Sequence, residues 1–170
     1  MGISTARGLG LSLGLPVRGV CTLDALARGI QETDRSPVPS GAMAPKRNSG
    51  ALAVLDGWRG EVFAALYGVD GAPVWEPAVY RPEALAERVA GLEQPPSVAG
   101  SGAVRFRHEL TRDGVRIADD SDPVHRVAAR HVCALAAAAT GPEPDGLSPI
   151  YLRPPDAERW RERDASQRAK

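Results

Sequence analysis

The sequence predicts an α/β domain, and three observations carry that expectation. Ala51 to Leu55 is an unbroken apolar run (A-L-A-V-L), the mark of a buried strand. Asp56-Gly57-Trp58-Arg59-Gly60 reads as a turn, and Glu61 to Tyr67 returns as a second strand, so the two form a hairpin. Around the hairpin, segments with helix start and stop signals alternate with short apolar runs.

Gly2 to Leu13 reads as a helix stopped by Gly14, with Pro16 just beyond. Val17 to Cys21 is a short strand candidate. Thr22 caps a helix from Leu23 to about Ile30, where Asp24 suits the positive end of the helix dipole. Gln31 to Ser49, with Pro37, Pro39, Gly41 and Pro45, reads as a loop. After the hairpin, Ala72 to Tyr80 is a third strand candidate. Pro82 at the first helical position opens a helix to about Leu92, and Ser97 to Ala99 is a short strand leading into Gly100-Ser101-Gly102. Asp122-Pro123 opens a helix from His125 to Thr140, ended by Gly141-Pro142. Asp156 to Lys170 is a charged, frayed tail. The organisation expected is a helix–strand–helix unit over 1–30, a linker over 31–50, an α/β lobe over 51–155 and a tail over 156–170.

Composition narrows the function. The chain has 170 residues, 43% of them hydrophobic, which suffices for a core. Its 21 basic and 21 acidic residues cancel, so no global charge advertises a nucleic-acid or membrane surface. Aromatics at 5% disfavour a base-stacking single-strand binder. Cys21 and Cys133 show neither disulfide nor metal spacing and read as buried small hydrophobes in a reducing cytoplasm. No run approaches the roughly 20 apolar residues of a membrane span.

Candidate chemistry is thin. His108, His125 and His131 are the histidines; the last two are six apart, which takes them off a shared helix face, so no metal site is expected. Ser101 between two glycines invites an oxyanion or phosphate reading, against which stands a plain strand-to-helix turn. Asp56, ending a buried strand beside Arg59 and Glu61, could bind magnesium or act as a base. The competing reading is a turn aspartate bonded to its own backbone, and it is the one preferred.

The first helix says more. Gly2, Ala6, Gly10 and Gly14 recur every four residues, giving one stripe of small side chains. Each helical glycine costs about 1 kcal/mol relative to alanine, so the stripe trades local stability for close approach of another backbone. Ile3, Leu9 and Leu13 flank it. The approach could be to the chain's own sheet or to a partner helix.

Five segments in order resemble the TsaB family. Gly2-Ile-Ser-Thr-Ala-Arg-Gly-Leu-Gly-Leu followed by Val20-Cys-Thr-Leu-Asp-Ala-Leu-Ala is similar to a family helix G-x-x-x-A-[KR]-G-L-A and the segment after it. Val54-Leu-Asp-Gly-Trp-Arg-Gly-Glu-Val-Phe resembles a "DAR-x-GEVY" hairpin, with Gly57-Trp58 in place of the common Ala-Arg. Gly100-Ser-Gly-Ala resembles "GDGA", with Ser101 for the usual Asp, and Pro149-Ile-Tyr-Leu-Arg-Pro-Pro-Asp resembles "P-x-YLR-x-PDA". The family opens with a strand-rich segment beginning near "ILAIDT" and with "GPGSFTGLR", and this sequence starts just after where the latter would end.

The resemblance implies an actin-like (ASKHA, ribonuclease-H-like) α/β fold with an incomplete first lobe and a second lobe. It implies a non-catalytic subunit that binds TsaD, within a complex that includes TsaE. That complex installs the threonylcarbamoyl group on adenosine 37 of tRNAs reading ANN codons, with tRNA met only indirectly. Gly2, Ile3, Ala6, Arg7, Gly10 and Leu13 would form the partner contact; a homodimer is the other pairing to consider. No cofactor and no metal are implied. The alternatives are a metal-dependent glycopeptidase-like enzyme and a stand-alone interaction module.

Overall fold

Alternation of large and small side chains along β1 (Ala51–Asp56) decides how the layers assemble. A computed structural model describes residues 2–36, 50–111, 115–139 and 147–153. Leu52 and Val54 point to one face of the sheet, while Ala51 and Ala53 point to the other, as the two-residue period of a strand requires. The five strands lie in the order β3-β2-β1-β4-β5. β2 (Val62–Tyr67) and β3 (Pro73–Tyr80) run antiparallel, and β4 (Ser97–Ala99) and β5 (Arg116–Ile117) add on in parallel.

On the small-residue face, Ala51, Ala53, Ala65 and Ala99 leave room for α2 (Thr22–Arg35) to lie close, burying Leu23, Leu26, Ala27 and Ile30. On the other face, Leu52, Val54, Val62, Ala64 and Leu66 pack against Leu85 and Val89 of α3 (Pro82–Ala90). Ala103 of α4 (Ser101–Arg105) and Leu110 of α5 (Arg107–Leu110) complete that layer. Each fully buried leucine contributes ~1.5–3 kcal/mol relative to exposure.

The expected hairpin, third strand, Pro82 helix and short strand at Ser97–Ala99 are all present. Three details differ. The strand over Val17 to Cys21 does not form, because no strand runs beside it among the described residues to take its backbone hydrogen bonds. Thr22 lies inside α2 rather than capping it. The cap position is Cys21, and the helix runs past Ile30 to Arg35. Residues 37–49 of the expected loop lie outside the described residues. The expected His125–Thr140 helix is split. Asp122 accepts a hydrogen bond from the Val124 N–H and caps one 3₁₀ turn, Pro123–His125, before an extended step leads to α6 (Ala129–Ala138). The Gly141-Pro142 stop and the 156–170 tail also fall outside the described residues.

Asp34, near the end of α2, is tied to Ser97 of β4, and burial pushes its carboxyl above the ordinary aspartate value. A carboxyl raised on folding binds its proton more readily when native. The ionised form therefore opposes folding at neutral pH, and this handicap fades as the pH falls through the raised value. Asp34→Asn is expected to raise the melting temperature at neutral pH, with the gain shrinking toward about pH 4. A gain that stays constant across that range would contradict burial as the cause.

Candidate functional site

Asp56 closes β1, where the chain must turn toward β2. Its Oδ1 accepts the Trp58 N–H at 2.9 Å, the aspartate-to-own-backbone bond expected of a turn. Its Oδ2 accepts from Arg105 Nη1 at 2.6 Å, and its N–H donates to Ser101 Oγ at 3.1 Å. Both carboxylate oxygens are therefore engaged structurally. The turn itself is left-handed over three residues, Trp58, Arg59 and Gly60, at φ of 60°, 59° and 76°. A Glu61 N–H bond to the Trp58 carbonyl and a Gly57 N–H bond to the Glu61 carbonyl close it.

Asp56→Asn keeps the acceptor for Trp58 and loses only the charge facing Arg105, whose side chain is 48% exposed. A pair that open to solvent is worth under about 1 kcal/mol. Asp56→Ala loses the turn bond as well, for a total of about 1–2 kcal/mol. Urea unfolding of the two variants should rank alanine below asparagine, and the reverse order would contradict the turn role.

Ser101 begins α4 in a strand-to-helix turn, as the plainer reading expects. The turn depends on Gly100, whose φ is 122° and where a Cβ would lie 2.1 Å from the Val54 carbonyl oxygen. His125 fixes it. Its Nδ1 accepts the Gly100 N–H at 3.1 Å, while Nε2 faces the carbonyls of Ala118 and Asp119 at 3.2 and 3.1 Å. His131 is buried on α6, with Nδ1 3.4 Å from Glu32 of α2, and Gly29 leaves space for its ring. His108 is exposed on α5. The three histidines thus stand apart, and among the described residues no group of three or more His, Cys, Asp or Glu side chains could hold a metal ion.

The small-residue stripe of α1 (Gly2–Leu13) divides in two. Gly10 faces inward, and a Cβ there would meet Val17 Cγ2 at 2.2 Å, so this glycine serves packing against the chain's own return segment. Gly14, at φ 63°, ends the helix, with the Leu15 N–H returning to the Gly10 carbonyl. Gly2 meets nothing within 4 Å, Ala6 is half-buried, and Leu9 and Leu13 are 56% and 64% exposed. Successive residues advance 100° around a helix. Gly2, Leu9 and Leu13 consequently form a bare apolar strip beside the occupied one, while Arg7 is exposed on the opposite flank.

Ile3 lines an open groove of ≈ 1150 Å³ with Cys21, Leu55, Phe63, Leu147 and Tyr151. Arg153 ties the segment 147–153 across it, donating from Nη1 to Glu61 Oε2 at 2.9 Å and to the Gly57 carbonyl at 3.3 Å. Cys21 is half-buried rather than buried, and Cys133 is exposed on α6, which corrects the expectation for both. Burial pushes the Cys21 thiol up, against the lowering effect of the Leu23 and Asp24 N–H groups. Burial and Asp24 likewise push the Tyr67 hydroxyl up, and Tyr67 donates to Asp24. Sequence reading missed Arg105, Arg153 and the His125–Gly100 bond, each of which joins positions far apart in the chain.

Solved structures share this fold. YeaZ from Pseudomonas aeruginosa superimposes with a TM-score of 0.57 at 23% identity, over 80% of this chain and 58% of YeaZ. The fold is actin-like, of the ribonuclease-H-like type. A crystal structure of an uncharacterized protein with similarity to the peptidase YeaZ from Pseudomonas aeruginosa also gives 0.57, at 22% identity, over 89% of this chain and 66% of that one. An uncharacterized protein of Mycobacterium leprae is 32% identical over 159 residues, which make up 92% of this chain and 34% of the relative. The chain therefore spans about a third of that relative and under two thirds of YeaZ. No family model matches it.

Proposed function

We propose that this chain is a non-catalytic TsaB-type subunit that binds TsaD. With TsaD and TsaE it supports threonylcarbamoylation of adenosine 37 in tRNAs reading ANN codons, in the cytoplasm. The YeaZ-like fold carries the reading, YeaZ being a TsaB protein, and the five ordered segments of sequence agree with it. Among the described residues no helix is long and apolar enough to cross a membrane.

The contact with TsaD runs through α1. On its inner strip Gly10 packs against the chain itself and Ile3 lines the groove, and the neighbouring strip of Gly2, Ala6, Leu9 and Leu13 is where the partner helix would lie. A peptidase reading finds little to work with, since Asp56 is engaged on both oxygens and the Cys21 thiol is raised. Co-expression with TsaD and capture on a tag carried by this chain tests the proposal. A stable complex at micromolar protein is expected, and no association at that concentration would overturn it.

A further inference from the structure

We infer that the segment 147–153 is the second half of the TsaD contact, with Tyr151 as its anchor. This rests on the TsaD reading and deepens it. A stable interface draws roughly 20–30 residues from each partner, and the strip of Gly2, Ala6, Leu9 and Leu13 on α1 is a fraction of that. The contact must therefore continue onto neighbouring surface. Ile3 gives the direction. It lies beside Gly2 and about one turn from Ala6, and it lines the groove together with Ile150 and Tyr151. Ile150 is 64% exposed and Tyr151 82%. Outside residues 2–15, the other large exposed apolar side chains among the described residues are Trp58, Val69 and Val74, and none of them lines that groove.

The segment is pinned at both ends. Leu147 Cδ1 sits on Gly19, 2.9 Å from where a Cβ would stand there. Arg153 is bonded to Glu61 and to the Gly57 carbonyl. Between these anchors Ile150 and Tyr151 stand exposed, so little conformational freedom remains to be lost when a partner covers them. The groove that they share is apolar where the sheet forms it, with Leu55 of β1, Phe63 of β2 and Pro77 of β3. Tyrosine joins a large apolar ring to a polar tip, and it is among the residue types that anchor protein interfaces. Its counterpart on TsaD is an apolar patch with a hydrogen-bond acceptor for the phenol at the rim.

The test is calorimetric titration of TsaD with the full chain and its variants, with hydrogen exchange followed in the complex. Tyr151→Ala and Ile150→Glu should each weaken binding about tenfold or more. Tyr151→Phe should lose less, and Val69→Ala, outside the groove, should bind as the parent does. The N–H groups of Ile150 to Leu152 should exchange more slowly once TsaD is bound. Parent-like binding by Tyr151→Ala, while Leu9→Glu with Leu13→Glu still abolishes it, would overturn this inference and leave the TsaD reading standing. No TsaD binding by the parent would overturn both. Unchanged exchange at Ile150 to Leu152 in a complex that does form would overturn the inference without relying on any variant to fold. So would a parent dimer that Tyr151→Ala converts to monomer with TsaD binding unmoved, which would make the segment a contact between copies.

Discussion

Gly100→Ala is expected to cost about 4 kcal/mol or more, enough to leave much of the chain unfolded. Residue 100 sits at φ 122° and ψ 170°, a region only glycine occupies without strain. The added Cβ would also meet the Val54 carbonyl at 2.1 Å and Leu26 Cδ2 at 2.8 Å. The leucine tip can move, but the carbonyl belongs to the central strand and cannot. The strain alone is ~1–3 kcal/mol, and displacing the turn also strips His125 of its partner on the Gly100 N–H. Chemical denaturation should show the midpoint collapsing. A variant within about 1 kcal/mol of the parent would mean that the turn relaxes freely.

Leu9→Glu with Leu13→Glu is expected to abolish TsaD capture while leaving the melting temperature nearly unchanged. Both side chains are more than half exposed, so charging them disturbs little within this chain. In an interface, two carboxylates in place of two leucines on one helix strip would be desolvated without partners, at a cost of several kcal/mol. The expected loss of affinity exceeds a hundredfold by pull-down or calorimetry. Retained capture would move the contact off this strip, and Leu11→Glu, on the flank beyond Arg7, is the control that should still bind.

The central sheet was readable in the sequence wherever local pattern and burial agree. Ala51–Leu55, with its turn and return strand, combines an apolar run with turn residues, and the structure forms it with Ala51 opposite Tyr67. Pro82 opened a helix for the same reason, its missing N–H being harmless at the first position. The failures were non-local. Val17–Cys21 has strand-forming residues, but among the described residues it joins no strand of the sheet. Residues 126–128 stay extended, splitting a segment that local pattern read as continuous helix, because Asp122 and His125 are held by contacts that periodicity does not carry. At the candidate site, the turn role of Asp56 was legible because its bond spans two residues. The Arg105 and Arg153 partners were not, being separated by 49 and 92 residues. The stripe left open whether the close approach was to the chain itself or to a partner, and Val17 filling the notch at Gly10 is visible only in the structure.

The two ends of the sheet limit how this protein can associate. β3 forms one edge, and it carries Pro73 and Pro77, which have no N–H to offer, with the second set in a bulge where Glu76 and Pro77 face Ala65 alone. β5 forms the other edge and is two residues long. Among the described residues both edges therefore disfavour extension of the sheet by a further strand, and the same feature guards against edge-to-edge aggregation. Such edges favour recognition by side chains, from helices and turns, and α1 is one surface that offers them.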